Sequence, residues 1–529
     1  MKKTIVLLLA VVALLVSATS CRTSSKVAKT APDVKREFRG AWIQTAFQDR
    51  YMGKTPQRCR EYLTSLIETL DRTGFNAVVF QIRPEGDAFY PSQLEPWSRF
   101  LTGVQGKAPY PEWDPLAFLV KLCHDHGMEF HAWINPYRSA ASKNWKLASS
   151  NIYYQHPEWF VTYDGRLYLN PGLPESRSWI REVVKDIVRR YDIDALHMDD
   201  YFYPYPAGGQ PFDDSYAFAT YGPVMGFDIE NPQHLGDFRR RSVNILIKAV
   251  HDDIKALKPW VRFGISPFGI YRNKKSWSEG SDTNGTQCYD NLYADVLLWA
   301  KEGWIDYVIP QLYWEIGHKS ADYKTLCDWW AKAIPSKCHL YIGQSIERSL
   351  DELPSGDKAQ DLTQYNRHFV SKINQARSSK RIQGNCFWYA YQVEDNAFRV
   401  RDFLQRSVFQ QRAMPPAYDK LDTKAPNKVT ALDGELIRDE RGLALHLTWK
   451  APVDGKAKTE QQVRYYNIYR FGKGEKVNTT SLANLYAHSS TADFYDRDLV
   501  SEKYTYVVTA VDYCNNEGKP VKQTFKLGL

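Results

Sequence analysis

Between residues 39 and 408 the chain alternates between two hydrophobic rhythms. Short, mostly apolar runs, the mark of strands buried in a parallel sheet, predict strands at 39–44, 76–82, 129–134, 193–199, 262–266, 305–311, 339–343 and 385–389. Stretches with apolar positions three and four apart predict helices at 56–73, 114–126, 175–191, 234–257, 290–302, 321–334, 360–379 and 395–408. In the first helix Tyr62, Leu63, Leu66, Ile67 and Leu70 share a face, and Gly74 stops it. Asp114 before Pro115 reads as an N-cap followed by a first-turn proline. Eight strands, each followed by a helix, predict an α/β fold, a (β/α)8 TIM barrel with large loop insertions. A doubly wound open sheet is the alternative, but no GxGxxG or Walker-type loop appears.

Outside this stretch the pattern changes. Met414-Pro415-Pro416 and Ala425-Pro426 mark a linker over 411–424, after a barrel domain over 36–410. Residues 425–529 alternate with period two in strands at 444–449, 463–470, 483–488 and 504–512, which predicts a small all-β sandwich. Trp449, and Tyr504 in the tyrosine-corner position, resemble an immunoglobulin-like fibronectin type III domain, with a spacer or packing role. At the other end, Lys2 and Lys3 precede an apolar run over 5–16 and the small residues before Cys21, which predicts a secretory signal over 1–21. The cysteine resembles that of a bacterial lipobox. Lipidation at Cys21 would tie the protein to a membrane of the cell envelope, the outer membrane being expected, through a polar tether over 22–35. A plain signal peptide with an incidental cysteine is the alternative.

Composition adjusts this picture in three places. A length of 529 residues suits one large domain and one small one. The net charge of +8 is mild over that length and no basic run appears, so nucleic acid is not an expected partner. Seven further cysteines (Cys59, Cys123, Cys288, Cys327, Cys338, Cys386 and Cys514) show no CxxC or metal-ligand spacing. They read as buried small hydrophobes, with no metal and no cofactor expected.

The chemistry concentrates at 191–205, YDIDALHMDDYFYPY. There an apolar strand ends on His197, Asp199 and Asp200 and runs into an aromatic loop. A charge beside a core must be paired or neutralised, and the C-terminal ends of barrel strands meet at one face, where active sites lie. That face collects Arg83 and Glu85, Trp133, Asn135, Tyr137 and Arg138, Tyr201, Gln311, Tyr313 and Trp314, and Trp388. Aromatics at 14% of the chain, with 16 Trp and 34 Tyr, fit a sugar-handling bowl lined with stacking platforms. Glycosidic hydrolysis usually takes two carboxyl groups. Asp199 and Asp200 are the first candidates, one of the two facing inward, and Glu315 after the sixth strand is the second carboxylate across the bowl. Glu85 is a third candidate, or else the ion-pair partner of Arg83. His197 shares the facing of Asp199, either positioning a sugar or sitting satisfied inside the barrel.

These segments carry a resemblance. FRGAW at 38–42, GFNAV at 74–78, QIRPEGDA at 81–88, HAWINPYR at 131–138, HMDDY at 197–201 and QLYW at 311–314 resemble glycosyl-hydrolase-like family 10, a bacterial group often found as lipoproteins. The resemblance implies a (β/α)8 barrel, glycoside hydrolysis, and peptidoglycan glycan strands stripped of stem peptides as substrate, with the catalytic carboxylate on the Asp199–Asp200 pair. N-acetylated sugars also allow the acetamide itself to attack, one aspartate orienting it and another carboxyl serving as acid. Two alternatives stay open: hydrolysis of a dietary or host polysaccharide, and glycan binding without catalysis.

Overall fold

The computed structural model describes residues 35–347, 358–452, 461–480 and 482–528. Cys21, the signal segment and the tether up to residue 34 lie outside them. Eight parallel strands close a barrel in chain order: β1 (Phe38–Ile43), β2 (Ala77–Arg83), β3 (Glu129–Ile134), β4 (Ala195–Met198), β5 (Arg262–Ile265), β6 (Tyr307–Val308), β7 (His339–Ser345) and β8 (Ile382–Trp388), which pairs back onto β1. Helices α1 (Pro56–Thr73), α2 (Pro115–Asp125), α3 (Pro174–Arg190), α4 (Pro232–Leu257), α5 (Val296–Lys301), α6 (Tyr323–Ala333) and α7 (Lys358–Ser378) lie between successive strands. The expected TIM barrel is the fold.

Local chemistry sets the helix ends. Thr55 accepts from the Arg58 N–H at 3.3 Å to open α1, and Gly74 closes it at φ 101°, where a side chain would be strained. Asp114 accepts from the N–H groups of Leu116 and Ala117 at 3.0 Å each to open α2. Three elements are shorter than their patterns suggest, one being the helix expected over 395–408, in which only Val400–Phe403 is α-helical. Pro310 has no N–H for the ladder, so β6 stops at Val308, and Gln311 joins its neighbours only through single bridges to Phe268 and Gly343. The helix expected over 290–302 breaks at Asp295, which caps α5 by accepting from the Leu298 N–H. A three-stranded antiparallel sheet (Arg138–Ala140, Phe160–Tyr163, Arg166–Leu169) in the loop after β3 was not legible in the pattern.

The barrel interior is packed. Phe38, Trp42, Val79, Trp133, Tyr307 and Tyr341 fill it from five of the strands. Gly264 makes room: a Cβ there would lie 2.0 Å from the Tyr307 ring. The Tyr307 hydroxyl in turn bridges His131 at 2.9 Å and His197 at 3.1 Å. All seven described cysteines are buried and unbridged.

The C-terminal region forms two antiparallel sheets. One joins Thr430–Asp439, Gly442–Lys450 and Asp493–Asp496; the other joins Leu485–Ser489, Val463–Phe471, Lys503–Asp512 and Val521–Lys526. Leu447, Trp449, Ile468 and Val508 form the core between them. Tyr504 accepts from the Val500 N–H at 2.9 Å. Residues 411–424, expected as a linker, are instead part of the packing. Met414 packs with Tyr465, Tyr469, Phe471 and Val511 on the other face of the second sheet, and its carbonyl accepts from the Glu37 N–H at 2.9 Å. Tyr418 lies under Arg262 and bonds the Tyr341 hydroxyl at 2.6 Å. The sandwich sits on the N-terminal ends of the barrel strands, where Arg464 pairs with Asp194 at 2.7 Å and Asn515 donates to Glu129 at 2.7 Å.

Candidate active site

At the opposite, C-terminal ends of the strands a cavity of about 540 Å³ opens. Trp42, Trp133 and Trp388 form its floor, with ring centroids 6.1–6.3 Å apart for the Trp42–Trp388 and Trp133–Trp388 pairs. Trp314 and Phe268, 5.4 Å apart, stand at one side. Asp199 and Asp200 line it directly after β4.

The pair is 6% and 7% exposed. Asn135 donates its amide to Asp199 and also to the Tyr201 hydroxyl at 3.0 Å. Asn135 is itself oriented by Gln81, which donates to its carbonyl at 2.7 Å. The other Asp199 oxygen is buried with no hydrogen-bond partner among the described residues. Burial first, then repulsion from Asp200, pushes the Asp199 carboxyl up to about 8, against the opposing pull of Arg138 and Asn135. Burial raises Asp200 as well, offset in part by the bond it accepts from the Tyr205 hydroxyl and by Gln311. Asp199 lines the cavity, and a carboxyl there that keeps its proton near neutrality is placed to act as a general acid. Arg138 stacks on Tyr201 at 5.4 Å and donates to the Pro84 carbonyl at 3.0 Å, so it is held between Asp199 and Glu85.

Of the residues named from the sequence, Trp133, Arg138, Asp199, Asp200, Tyr201, Gln311, Tyr313, Trp314 and Trp388 line the cavity. Asn135 stands directly behind it. The others are placed elsewhere. Glu315 turns away: its carboxylate faces His368 on α7 at 3.8 Å. Arg83 is buried and pairs with Glu95 at 2.6 Å, not with Glu85. Glu85 is buried behind the wall, where it accepts from the Ala141 N–H at 2.5 Å; burial and Asp87 push it up to about 8. Tyr137 belongs to the outer core. His197 points into the barrel below Trp42, satisfied by Tyr307 and by Ser266 at 2.9 Å, and burial keeps it neutral. It is an interior histidine, not a sugar ligand.

The cavity also holds residues that the sequence reading did not single out: Trp42, Phe47, Tyr205, Phe268 and Glu347. Trp42 carried a signal, since it precedes by two the strand-end residue Gln44 and so shares its facing. Glu347 follows β7 by two residues and bonds the Tyr389 hydroxyl. Among the described residues no group of three or more His, Cys, Asp or Glu is arranged to hold a metal ion.

The sequence profile of the family described as glycosyl hydrolase-like 10 matches residues 37–358, more than half of the chain. The chain belongs to that family. It is 37% identical over 501 residues to glycosyl hydrolase YngK of Bacillus subtilis (strain 168), covering 93% of this chain and 94% of that one. It is 36% identical over 340 residues to glycosyl hydrolase DigH of Escherichia coli (strain K12), covering 60% of this chain and 75% of that one. Among solved structures, the PgaB (BpsB) glycoside hydrolase domain from Bordetella bronchiseptica aligns at a TM-score of 0.44 and 12% identity, over 70% of this chain and 99% of that one, a likeness that bears on neither substrate nor mechanism. Glycosidic bond hydrolysis is thus the chemistry of this family member.

Proposed function

We propose that the protein is an exported, lipid-anchored glycoside hydrolase acting on peptidoglycan glycan strands that lack stem peptides. One observation carries the reading of the site: Asp199, protonated near neutrality and with one oxygen free, faces a cavity floored by three tryptophans. In this reading a sugar stacks on the floor and Asp199 gives its proton to the glycosidic oxygen as the bond breaks. Asp200, fixed by Tyr205, faces the positive charge that develops at the anomeric carbon, or orients an N-acetyl arm that attacks it; water then adds at that carbon and its proton restores Asp199. A chain without stem peptides suits the lining, in which Arg138 is the one cation among the described residues and is already engaged with Tyr201 and the Pro84 carbonyl. The lipid anchor rests on Cys21 and the apolar run before it, and outer-membrane attachment is part of the proposal. The C-terminal sandwich fits a fibronectin type III-like module, supported by the Tyr504 bond to the Val500 N–H.

The test is digestion of peptide-free peptidoglycan strands by protein lacking residues 1–21, with products read by mass spectrometry. Defined sugar products support the proposal. Retention of the strands without products points to a binding protein. Neither products nor retention overturns the substrate and directs the assay to dietary and host polysaccharides.

A further inference from the structure

Phe47 differs from the other aromatics at the barrel mouth. It is 61% exposed, and its backbone sits at φ 58°, the left-handed region that a bulky side chain enters only at a cost. So large an exposed ring offers little burial to offset that cost. The ring is nevertheless fixed in place: it rests against Phe100 at 5.0 Å and Trp145 at 5.9 Å, and Arg99 lies over Trp145 at 4.5 Å. It lines the same cavity as Asp199.

Strand order locates it relative to the acids. Phe47 follows β1, three strands to one side of the Asp199–Asp200 pair after β4, while Phe268 and Trp314 follow β5 and β6 on the other side. Aromatic faces therefore flank the acids on both sides, and the cavity runs continuously between them. We propose that Phe47 is the platform of an outer glycan subsite, so that the enzyme grips its chain on both sides of the scissile bond and cuts internally. The inference rests on the hydrolase reading above, and the occupant is a further ring of the same chain.

The experiment uses peptide-free peptidoglycan oligosaccharides of graded length, with kcat/KM measured for the wild type, Phe47→Ala and Phe47→Trp. The wild type gains in kcat/KM as the chain lengthens, and the first products from long strands are of intermediate size. In Phe47→Ala the ratio of kcat/KM on the longest to the shortest cleaved chain falls about fivefold to tenfold, the scale of one lost ring contact, and Phe47→Trp restores it. If Phe47→Ala loses its melting transition, Phe47→Gly, which the left-handed backbone accepts, takes its place. An unchanged length dependence in the variant, or release of terminal units alone by the wild type, overturns the inference while the hydrolase reading stands. A wild type that cuts no length overturns the substrate reading and this inference with it.

Discussion

At the N-terminal end of the barrel Glu129 is fully buried, yet it holds its charge. Arg262 lies 2.9 Å from it, His131 bonds it at 2.9 Å and Asn515 reaches up from the sandwich. Its carboxyl is pulled down to about 2, with Arg262 the largest stabilising influence against burial. Asp306, between Lys255 at 2.8 Å and Lys420 at 3.3 Å, is likewise pulled down to about 2. At the C-terminal end Asp199 and Glu85 are also buried, and both are pushed up to about 8. Burial acts in the same direction at both ends; the supply of cations reverses the result. Below, each acid has its own cation, several of them from residues 412–516. Above, Arg138 is shared between Asp199, Asp200 and Glu85, and the one further cation among the described residues is Arg99, 3.7 Å from Glu85. One end uses its charges to hold two layers together, and the other keeps its carboxyls under-paired.

The largest expected effect comes from removing the acid above. Asp199→Asn should lower kcat by about 10²–10⁴-fold while the melting temperature holds or rises, because a poorly paired buried acid is removed. A variant that keeps wild-type turnover would show that the proton comes from another group. The mirror experiment below is Arg464→Ala, which leaves Asp194 buried without its closest cation. Breaking such a pair costs about 3–5 kcal/mol of stability, read as a shift in the denaturant midpoint. If Arg464→Ala unfolds at the wild-type midpoint, the sandwich does not hold the barrel in the way described. An Asp194→Asn, Arg464→Met double variant should recover part of the loss, since no charge is then stranded.

The two ends also separate with pH. Glu129 and Asp306 have folded values below their unfolded ones, so the stability they contribute is present above the ordinary carboxylate range and is lost as pH falls toward about 2. Asp199 and Glu85 have the opposite sign: they oppose folding increasingly as pH rises from about 4 toward 8. Activity should fall as pH rises through about 8, where Asp199 loses its proton. Acid unfolding and an alkaline loss of turnover in one protein would report the two ends separately. A turnover that climbs steadily past that point would remove Asp199 as the acid.

Much of this was legible because barrel strands are buried on both faces and read as continuous apolar runs, and because strand ends must converge. The type of residue at the mouth was therefore readable, but not its aim beyond the strand. Glu315 lies seven residues past the last residue of β6, at Val308, and Pro310 has already ended the regular alternation, so nothing in the pattern could foretell its turn toward His368. Glu347 lies two residues past β7 and reaches the cavity. The pattern left His197 open between a sugar ligand and an interior residue, because its partners Tyr307 and Ser266 lie 110 and 69 residues away in sequence. Arg83 finds Glu95 within the next loop, and only the fold of that loop decides it over Glu85, two positions on. Prolines at 415, 416 and 426 suggested a linker, whereas Met414 and Tyr418 are buried by surfaces that the sequence order keeps far apart.

The smallest effect sharpens the division of labour within the pair. The Tyr205 hydroxyl donates to Asp200, and this bond pulls the Asp200 carboxyl down against burial. Tyr205→Phe removes that pull and leaves the ring, so Asp200 holds its proton to a higher pH. One hydrogen bond to a charged group is worth about 1.5–3 kcal/mol, so kcat at neutral pH should fall by roughly tenfold to a hundredfold, with substrate retention kept through the aromatic face. If Asp200 must be ionised for turnover, the acid-side limb of the pH profile should also move upward, because the charged form is reached later. A drop in kcat with no such movement would mean that Tyr205 serves the sugar directly and that Asp200 is a bystander to Asp199.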